Sequence, residues 1–209
     1  MAKKYYAVAK GKSGTNKIFE TWEECKKEVI GCKGAKYKSF KSREEALGFL
    51  EIFKEGGNLK ETKGEEELKE DLIYIFVDGS FMVNKENYSY GFLVVKNGEI
   101  LYEDKGVGYN KEAIALRNVS GEVEGAMKSI EYAIEKGYKD IVLCYDYQGI
   151  ESWALGTWKR NNEITKNYHD FMQEKFKDIK VRFKKIKGHS GNKFNDRADR
   201  LAKEALESL

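Results

Sequence analysis

The stretch Leu72-Ile-Tyr-Ile-Phe-Val77, followed directly by Asp78-Gly-Ser80, decides the fold. Its nearly continuous apolar residues are typical of a strand that is covered on both faces in the middle of a sheet. In open α/β sheets, functional residues lie at the carboxyl ends of such strands. Asp78 occupies that position and is therefore the first candidate for a functional residue.

The chain after this strand predicts a mixed α/β sheet. An Asn-Gly pair within Lys96–Glu99 is a hairpin signal between two further strands. The predicted strands are 72–77, 90–95, 100–104, 140–145 and 180–186, and the predicted helical regions begin near Gly121 and cover 148–178 and 192–208. The order βββαβαβα indicates an antiparallel meander extended by parallel crossover strands, which is a five-stranded mixed sheet with flanking helices.

A small domain of ββαβα order is predicted upstream. Strand patterns at 4–10, 17–20 and 37–40 combine with two helices, and each helix begins with a capping box, Thr21–Glu24 and Ser42–Glu45. This segment, residues 1–54, has 13 Lys and Arg against 7 Asp and Glu, a net charge of +6.

An acidic segment, residues 55–71, follows it with 3 Lys and Arg against 7 Asp and Glu. Leu59 and Leu68 are its only large apolar residues, so it buries too little surface to offset chain entropy. We expect a flexible linker here, with a short helix over 65–70 as the alternative. The predicted organisation is therefore a domain at 1–54, a linker at 55–71 and a second domain at 72–209.

Composition excludes several classes of protein. Three scattered cysteines and two histidines leave no disulfide framework and too few ligands for a zinc site. No apolar run approaches the roughly 18 residues that cross a bilayer, and no signal-peptide pattern opens the chain. Gly11-Lys-Ser13 resembles the end of a phosphate loop, but Tyr6 stands where its first glycine is required. We expect a cytoplasmic monomer with no membrane partner and no nucleotide cofactor.

Four acidic residues are predicted to meet at one edge of the sheet. Asp146 ends the strand 140–145 as Asp78 ends the first, Glu122 opens a helix, and Asp199 lies on the last helix. Four carboxylates repel one another unless cations join them, and they suit Mg²⁺ or Mn²⁺, including a pair of such ions. Taken singly, each acid also has an ordinary explanation as a turn former, a helix N-terminal charge or a surface charge.

Several segments of the second predicted domain resemble type 1 ribonuclease H. Residues 5–50 resemble the small hybrid-binding domain, similar to caulimovirus viroplasmin, that many members of that family carry. The matching segments are Phe76-Val-Asp-Gly-Ser80, Asn118-Val-Ser-Gly-Glu122, Asp146-Tyr-Gln148, Gly188-His-Ser-Gly191 and Asn195-Asp-Arg-Ala-Asp-Arg-Leu-Ala202. The resemblance implies an endonuclease that hydrolyses the RNA strand of RNA–DNA hybrids and leaves 5′-phosphate and 3′-hydroxyl ends.

The resemblance also implies roles for the acids. Asp78 would bridge two Mg²⁺ ions, for which Mn²⁺ is a possible substitute, and Asp146 and Asp199 would hold the ion that activates water. Glu122 would lie beside the ion that faces the leaving 3′ oxygen. His189 would transfer a proton or assist product release.

Hybrid-binding residues are implied in both domains. Asn195 would hold the loop of His189 or contact substrate, and Trp158 would grip the DNA strand, whereas Trp153 favours the core. The residues that would line the minor groove are Gly79, Ser80, Asn84, Asn118 and Gln148. In the small domain, Trp22 and Tyr37 would stack on the DNA strand, with Lys38 at a phosphate. The alternative for Trp22, which opens a helix, is a place in the core.

Because of two departures from the family pattern, we expect the second domain to bind the hybrid more weakly. Phe81-Met-Val-Asn-Lys-Glu-Asn87 lacks the usual glycine and proline, and the segment 149–168 is short.

Two other functions stay open at this point. A transposase or integrase with a related sheet would share the acids, although the spacing of His189 and Asp199 favours the ribonuclease. A non-catalytic protein that binds hybrids or double-stranded nucleic acid would gain nothing from four repelling carboxylates.

Overall fold

The computed structural model describes residues 4–54, 68, 71–188 and 191–209. Most of the predicted linker 55–71, its alternative helix over 65–70 and His189 lie outside the described residues. The chain forms two compact units, one around a three-stranded sheet and one around a five-stranded sheet. In the described parts of the chain, no helix has the length and apolar character needed to span a membrane.

The small unit has the predicted ββαβα order. Its elements are β1 (Tyr5–Ala9), β2 (Lys17–Phe19), α1 (Trp22–Val29), β3 (Lys36–Phe40) and α2 (Arg43–Lys54). The strands form an antiparallel sheet in the order β2-β1-β3, and Val8 packs against Cys25 and Val29 of α1. The capping box of α2 is complete, because Ser42 Oγ accepts a hydrogen bond from Glu45 N–H at 3.1 Å while Glu45 Oε2 accepts one from Ser42 N–H at 3.2 Å.

The larger unit is a mixed five-stranded sheet with helices on both faces, as predicted. Its elements are β4 (Ile73–Met82), β5 (Asn87–Lys96), β6 (Glu99–Val107), α3 (Asn118–Glu135), β7 (Asp140–Tyr145), α4 (Gly149–Ala154), α5 (Glu163–Lys175), β8 (Lys180–Lys185) and α6 (Lys193–Glu207). The strand order is β6-β5-β4-β7-β8. The central strand β4 runs antiparallel to β5 and parallel to β7.

Two helical expectations need correction. The first helix begins at Asn118, three residues earlier than Gly121, and the predicted helical region over 148–178 is two helices. The break between α4 and α5 has a physical cause: Gly156 has a φ of 68°, and Asn162 caps the new helix by accepting a hydrogen bond from Thr165 N–H at 2.9 Å.

The core of this unit fixes the two helices that carry candidate acids. Tyr74, Phe76 and Leu93 face α6, where the ring of Phe76 lies 5.1 Å from that of Phe194. Because side chains alternate along a strand, Ile75 and Val77 point to the other face, and α3 packs against β4 and β5. Both helices are therefore seated on β4, the strand that ends in Asp78.

Candidate active site

Asp78 and Asp146 lie side by side at one edge of the sheet. Phe76 of β4 pairs in parallel register with Cys144 of β7, and each acid follows two residues later. The pKa of Asp78 is raised to about 7, first by burial and then by the charges of Asp146 and Asp199, against the hydrogen bond that Gly79 N–H donates to Asp78 Oδ1 at 2.7 Å. The expectation that these two strands are parallel neighbours is confirmed.

Glu122 reaches this edge because two glycines allow α3 to touch the sheet. A Cβ on Gly79 would overlap the backbone of Asn118 and Glu122, and a Cβ on Gly121 would overlap the carbonyl of Ser89. Glu122 is only 2% exposed, and its pKa is raised well above the ordinary value by burial first and then by the charges of Asp146 and Asp78. Its Oε1 accepts hydrogen bonds from the backbone N–H groups of Asp146 at 3.3 Å and Tyr147 at 3.2 Å.

Asp199 is brought in by α6, again through a glycine. A Cβ on Gly91 of β5 would lie 2.6 Å from Cβ of Leu201 and 2.7 Å from the amide nitrogen of Ala202. The charge of Asp199 contributes to the raised pKa of Asp78, so the two carboxylates interact. Asp199 Oδ2 also accepts a hydrogen bond from Lys203 Nζ at 2.7 Å, one helical turn away.

The four predicted acids thus share one electrostatic environment, and protein groups currently satisfy several of their oxygens. Within residues 4–54, 71–188 and 191–209, no three His, Cys, Asp or Glu side chains are already arranged around one metal position. The chemistry of the set nevertheless fits a divalent cation. Its donors are oxygens alone, which suit Mg²⁺ or Mn²⁺, and added positive charge would offset the burial and the repulsion that raise the pKa values of Asp78 and Glu122.

Asn195 and Asp196 occupy the first turn of α6, where Asn192 caps the helix by accepting hydrogen bonds from Phe194 N–H and Asn195 N–H, both at 3.1 Å. Asn195 is 3% exposed, and its Oδ1 receives no hydrogen bond from any described residue. An unsatisfied buried acceptor is unusual in proteins, which keeps Asn195 a candidate for a contact with the loop of His189 or with substrate. Asp196 is half-buried and is not among the main causes of the raised pKa values of Asp78 and Glu122.

The predicted minor-groove residues lie on, or directly after, elements that carry the acids. Gly79 and Ser80 continue β4 and pair with Tyr90 and Ser89 of β5. The remaining three lie near the acids in sequence: Asn84 is exposed after β4, Asn118 is exposed at the start of α3, and Gln148 is half-buried two residues after Asp146. Sequence reasoning missed Glu151, which accepts a hydrogen bond from Gln148; a carboxylate three residues after a polar residue at a helix start was the available signal.

The aromatic pair of the small unit forms, but the lysine does not join it. The rings of Trp22 and Tyr37 lie 5.8 Å apart, and the two side chains are 37% and 43% exposed. Lys38 follows Tyr37 on β3 and so points to the opposite face of that strand, where its Nζ lies 5.4 Å from the ring of Phe40. Trp158, between α4 and α5, is exposed, and Trp153 of α4 is buried, as its assignment to the core requires.

A mixed sheet whose carboxylates converge at one edge defines a class, the α/β enzymes with acidic sites for metal-assisted phosphodiester chemistry. The family model described as RNase H matches residues 70–207, and the model described as the ribonuclease H1 N-terminal domain matches residues 4–50. The chain therefore belongs to the RNase H family, whose members generally depend on divalent metal ions.

Individual relatives agree with this assignment. Human ribonuclease H1 is 27% identical over 259 residues, which covers 96% of this chain and 88% of the human protein. The crystal structure of RNase H1 from Halobacterium salinarum shares the fold, with a TM-score of 0.57, 23% identity and coverage of 66% of this chain and 98% of the archaeal one. LC11-RNase H1, crystallised in complex with an RNA/DNA hybrid, gives a TM-score of 0.55 at 19% identity and covers 65% of this chain and 97% of that one.

Proposed function

We propose that this protein hydrolyses the RNA strand of RNA–DNA hybrids as an endonuclease, with two divalent ions, and leaves 5′-phosphate and 3′-hydroxyl ends. The observation that carries the proposal is the electrostatic convergence of Asp78, Glu122, Asp146 and Asp199 at one sheet edge in a chain of the RNase H family. We propose Mg²⁺ as the working ion, with Mn²⁺ as a substitute, because the donor set consists of carboxylate oxygens.

Each carboxylate would have a distinct role. Asp78, which feels the charges of both Asp146 and Asp199, would contribute to both ions, while Asp146 and Asp199 would complete one site and Glu122 the other. When bound, the ions would supply positive charge to the transferring phosphate and lower the pKa of the attacking water. The hydrogen bonds from Asp146 N–H and Tyr147 N–H orient the buried Glu122 before substrate arrives, and Lys203 must release Asp199 when a cation binds.

The surrounding polar residues would read the minor groove of the hybrid. Ser80, Asn84, Asn118 and Gln148 offer hydroxyl and amide groups, and the 2′-hydroxyl that separates RNA from DNA both donates and accepts hydrogen bonds. LC11-RNase H1 was crystallised with such a hybrid, which supports the same substrate class here. His189 and Asn195 are proposed to act in proton transfer or product release and in holding that loop.

One substrate panel tests the reaction. The full-length protein is incubated with labelled RNA–DNA hybrid, double-stranded RNA and double-stranded DNA, each with Mg²⁺, Mn²⁺ or EDTA. We expect cleavage of RNA in the hybrid alone, with either ion and not with EDTA. Strand transfer would instead support a transposase or integrase, and binding without cleavage a non-catalytic protein.

The small domain would tether the enzyme to its substrate. The exposed rings of Trp22 and Tyr37 can stack on nucleotide groups, and tethering raises the local concentration of hybrid. Replacing both with alanine in the full-length protein should reduce the number of cuts per encounter on long hybrids and leave kcat on short hybrids unchanged. Equal processivity of the two proteins would remove this role from the pair.

We also propose a cytoplasmic location. Cys25, Cys32 and Cys144 are all free thiols, and two of them are buried, which suits a reducing compartment. Fractionation of cells that express the tagged protein, with a membrane and a soluble marker, checks this.

A further inference from the structure

The side-chain amide of Gln148 is held by a buried carboxylate that the reaction itself does not use. Gln148 Nε2 donates a hydrogen bond to Glu151 Oε2 at 2.7 Å and lies 3.3 Å from Ser152 Oγ. Glu151 stands at the start of α4, three residues after Gln148, and is only 3% exposed.

Glu151 is itself fixed in place. Its Oε2 also accepts a hydrogen bond from the hydroxyl of Tyr145 at 2.7 Å, and Tyr145 is a buried residue at the end of β7. A buried carboxylate that lost these donors would be left without compensation, which is strongly unfavourable. These two hydrogen bonds therefore hold Glu151 in place in the absence of a ligand.

This arrangement decides which end of the Gln148 amide faces outward. A carboxylate accepts hydrogen bonds and does not donate them, so the amide nitrogen must point toward Glu151. The amide oxygen, Oε1, then points away, and no described residue donates a hydrogen bond to it. Gln148 thus presents an acceptor at the edge of the sheet, two residues after Asp146.

We propose that Glu151 is a positioning residue, which locks Gln148 as a hydrogen-bond acceptor and so selects a hydrogen-bond donor on the substrate. The inference rests on the proposed function, in which Gln148 faces the minor groove. Two groups there can donate to it: the 2′-hydroxyl of a ribose and the 2-amino group of guanine. If the donor is guanine, the enzyme prefers particular cleavage sites; if it is the ribose, the contact helps to recognise RNA.

The experiment compares three hybrids of one sequence in the full-length protein. One is unmodified, one carries inosine for guanosine and so lacks the 2-amino group, and one carries 2′-fluoro sugars walked through the positions that flank the cleavage site. Discrimination is the kcat/KM of the unmodified hybrid divided by that of the modified one. For the wild type we expect about 3- to 10-fold in one class, the range for a single hydrogen bond.

The variant Glu151→Gln breaks the lock while keeping the size of the side chain. A neutral amide can offer either its oxygen or its nitrogen, so Gln148 is no longer held in one orientation. We expect discrimination to fall below about twofold, mostly through KM. In a Gln148→Ala background discrimination is already lost, and adding Glu151→Gln should change nothing further.

Tyr168→Phe is the matched control. Tyr168 is buried and its hydroxyl donates to the carbonyl of Ile150 in α4 at 3.1 Å, so its loss perturbs the same helix without touching Gln148. It should keep wild-type discrimination, with folding of every variant checked by thermal denaturation.

Several outcomes would overturn the inference: no discrimination by the wild type in either class, wild-type discrimination in Glu151→Gln, an equal effect of that change with and without Gln148, or an equal loss in Tyr168→Phe. If the wild type cleaves no hybrid at all, the proposed function fails. The same ratios, taken from hybrid dissociation constants by fluorescence anisotropy, then still test the link between Glu151 and Gln148.

Discussion

Helix α6 and its neighbours carry two groups of acidic residues that the protein treats in opposite ways. On one side, Glu103 accepts hydrogen bonds from Arg197 at 2.7 and 2.9 Å, and Glu204 accepts them from Lys105 at 2.7 Å and Arg197 at 3.1 Å. Hydrogen bonds to Arg197 and Lys105 lower the pKa values of Glu103 and Glu204 respectively.

On the other side of the comparison is the candidate site. There the pKa values of Asp78 and Glu122 are raised, chiefly by burial and then by neighbouring carboxylates. The first group stabilises the fold with its own cations, which we call the compensated network. The second, the uncompensated site, leaves negative charge for which the chain supplies little positive charge. The pKa shifts of Asp78 and Glu122 therefore have the opposite sign to those of Glu103 and Glu204.

The largest difference between the two groups should appear in catalysis. Asp78→Asn removes the carboxylate that couples to the other acids, so we expect kcat on hybrid to fall by about 10³-fold or more, since the missing group supports the charge of the metal site. Hybrid affinity, measured by fluorescence anisotropy, should stay within about threefold of wild type.

Asp196→Asn is the control for this change. It removes an acid of the same helix as Asp199 that is not among the main causes of the raised pKa values of Asp78 and Glu122, and its kcat should match that of the wild type. Normal turnover in Asp78→Asn would refute the assignment of the acidic site.

The second prediction concerns stability without metal. The folded-state pKa of Asp78 is about 7, above its ordinary value of 3.8, so between these values the folded state binds more protons than the unfolded state. The free energy of unfolding should therefore fall as pH rises from about 5 to 8 in EDTA, by about 2–4 kcal/mol for this group. Urea denaturation across that range measures it, and saturating Mg²⁺ should flatten the slope.

The comparison requires that the pH dependence of the free energy of unfolding arise from the uncompensated site. In Asp78→Asn it should become shallower, because the titrating carboxylate is gone. The compensated network does not contribute in this window, since its glutamates are ionised in both states above about pH 5. An unchanged slope in Asp78→Asn would show that other groups set the pH dependence.

The third prediction concerns the compensated network, where the pKa shift of Glu103 has the opposite sign to that of Asp78. Glu103→Gln removes the bidentate pair with Arg197, and we expect it to lower the free energy of unfolding by about 0.5–1 kcal/mol at pH 7, because the pair is partly exposed. Because the folded-state pKa of Glu103 is lowered, its ion pair stabilises the fold at pH values above the unfolded-state pKa. This stabilisation is lost as the pH falls through the folded-state pKa, so the difference in stability from the wild type should vanish in acid. Activity should not change, and a loss of kcat would contradict the assignment of the compensated network to stability alone.

The smallest predicted effect concerns Lys203, which pairs with Asp199 of the uncompensated site. Lys203→Met removes the cationic partner of Asp199, which a bound metal would have to displace. We expect the Mg²⁺ concentration for half-maximal activity to fall by up to about fivefold, the scale of an exposed ion pair. A rise in that concentration would mean that Lys203 helps the site and does not compete for it.

Sequence alone predicted the frame of this molecule well. Continuous apolar residues before Asp78 and before Asp146 marked the two parallel central strands, and capping boxes marked α1 and α2. The start of α3 was harder, because the backbone of Asn118 and Glu122 is placed by contact with Gly79, and such contacts between distant residues leave no local pattern.

The sequence named candidate members of the site, whose roles stay a prediction, but not all of the contacts that they make. Asp78 and Asp146 were recognised from strand ends and Glu122 from the start of a helix, whereas Asp199 lies in the middle of α6. Lys203 lies four residues after Asp199 on the same helix, so the sequence already contained the signal for that ion pair. The hydrogen bond from the backbone N–H of Tyr147 to Glu122 instead arises from packing between distant elements and leaves no local pattern. The separation of Lys38 from the ring of Tyr37 follows from strand alternation, and the sequence already contained that signal.

A crystal structure of the full-length protein soaked in Mn²⁺, with anomalous scattering data, tests the central claim most directly. The account predicts an anomalous peak within about 2.5 Å of oxygens from Asp78 and at least one of Glu122, Asp146 and Asp199. No peak at that edge while Mn²⁺ is bound elsewhere, for example beside Glu103 and Glu204, would contradict it.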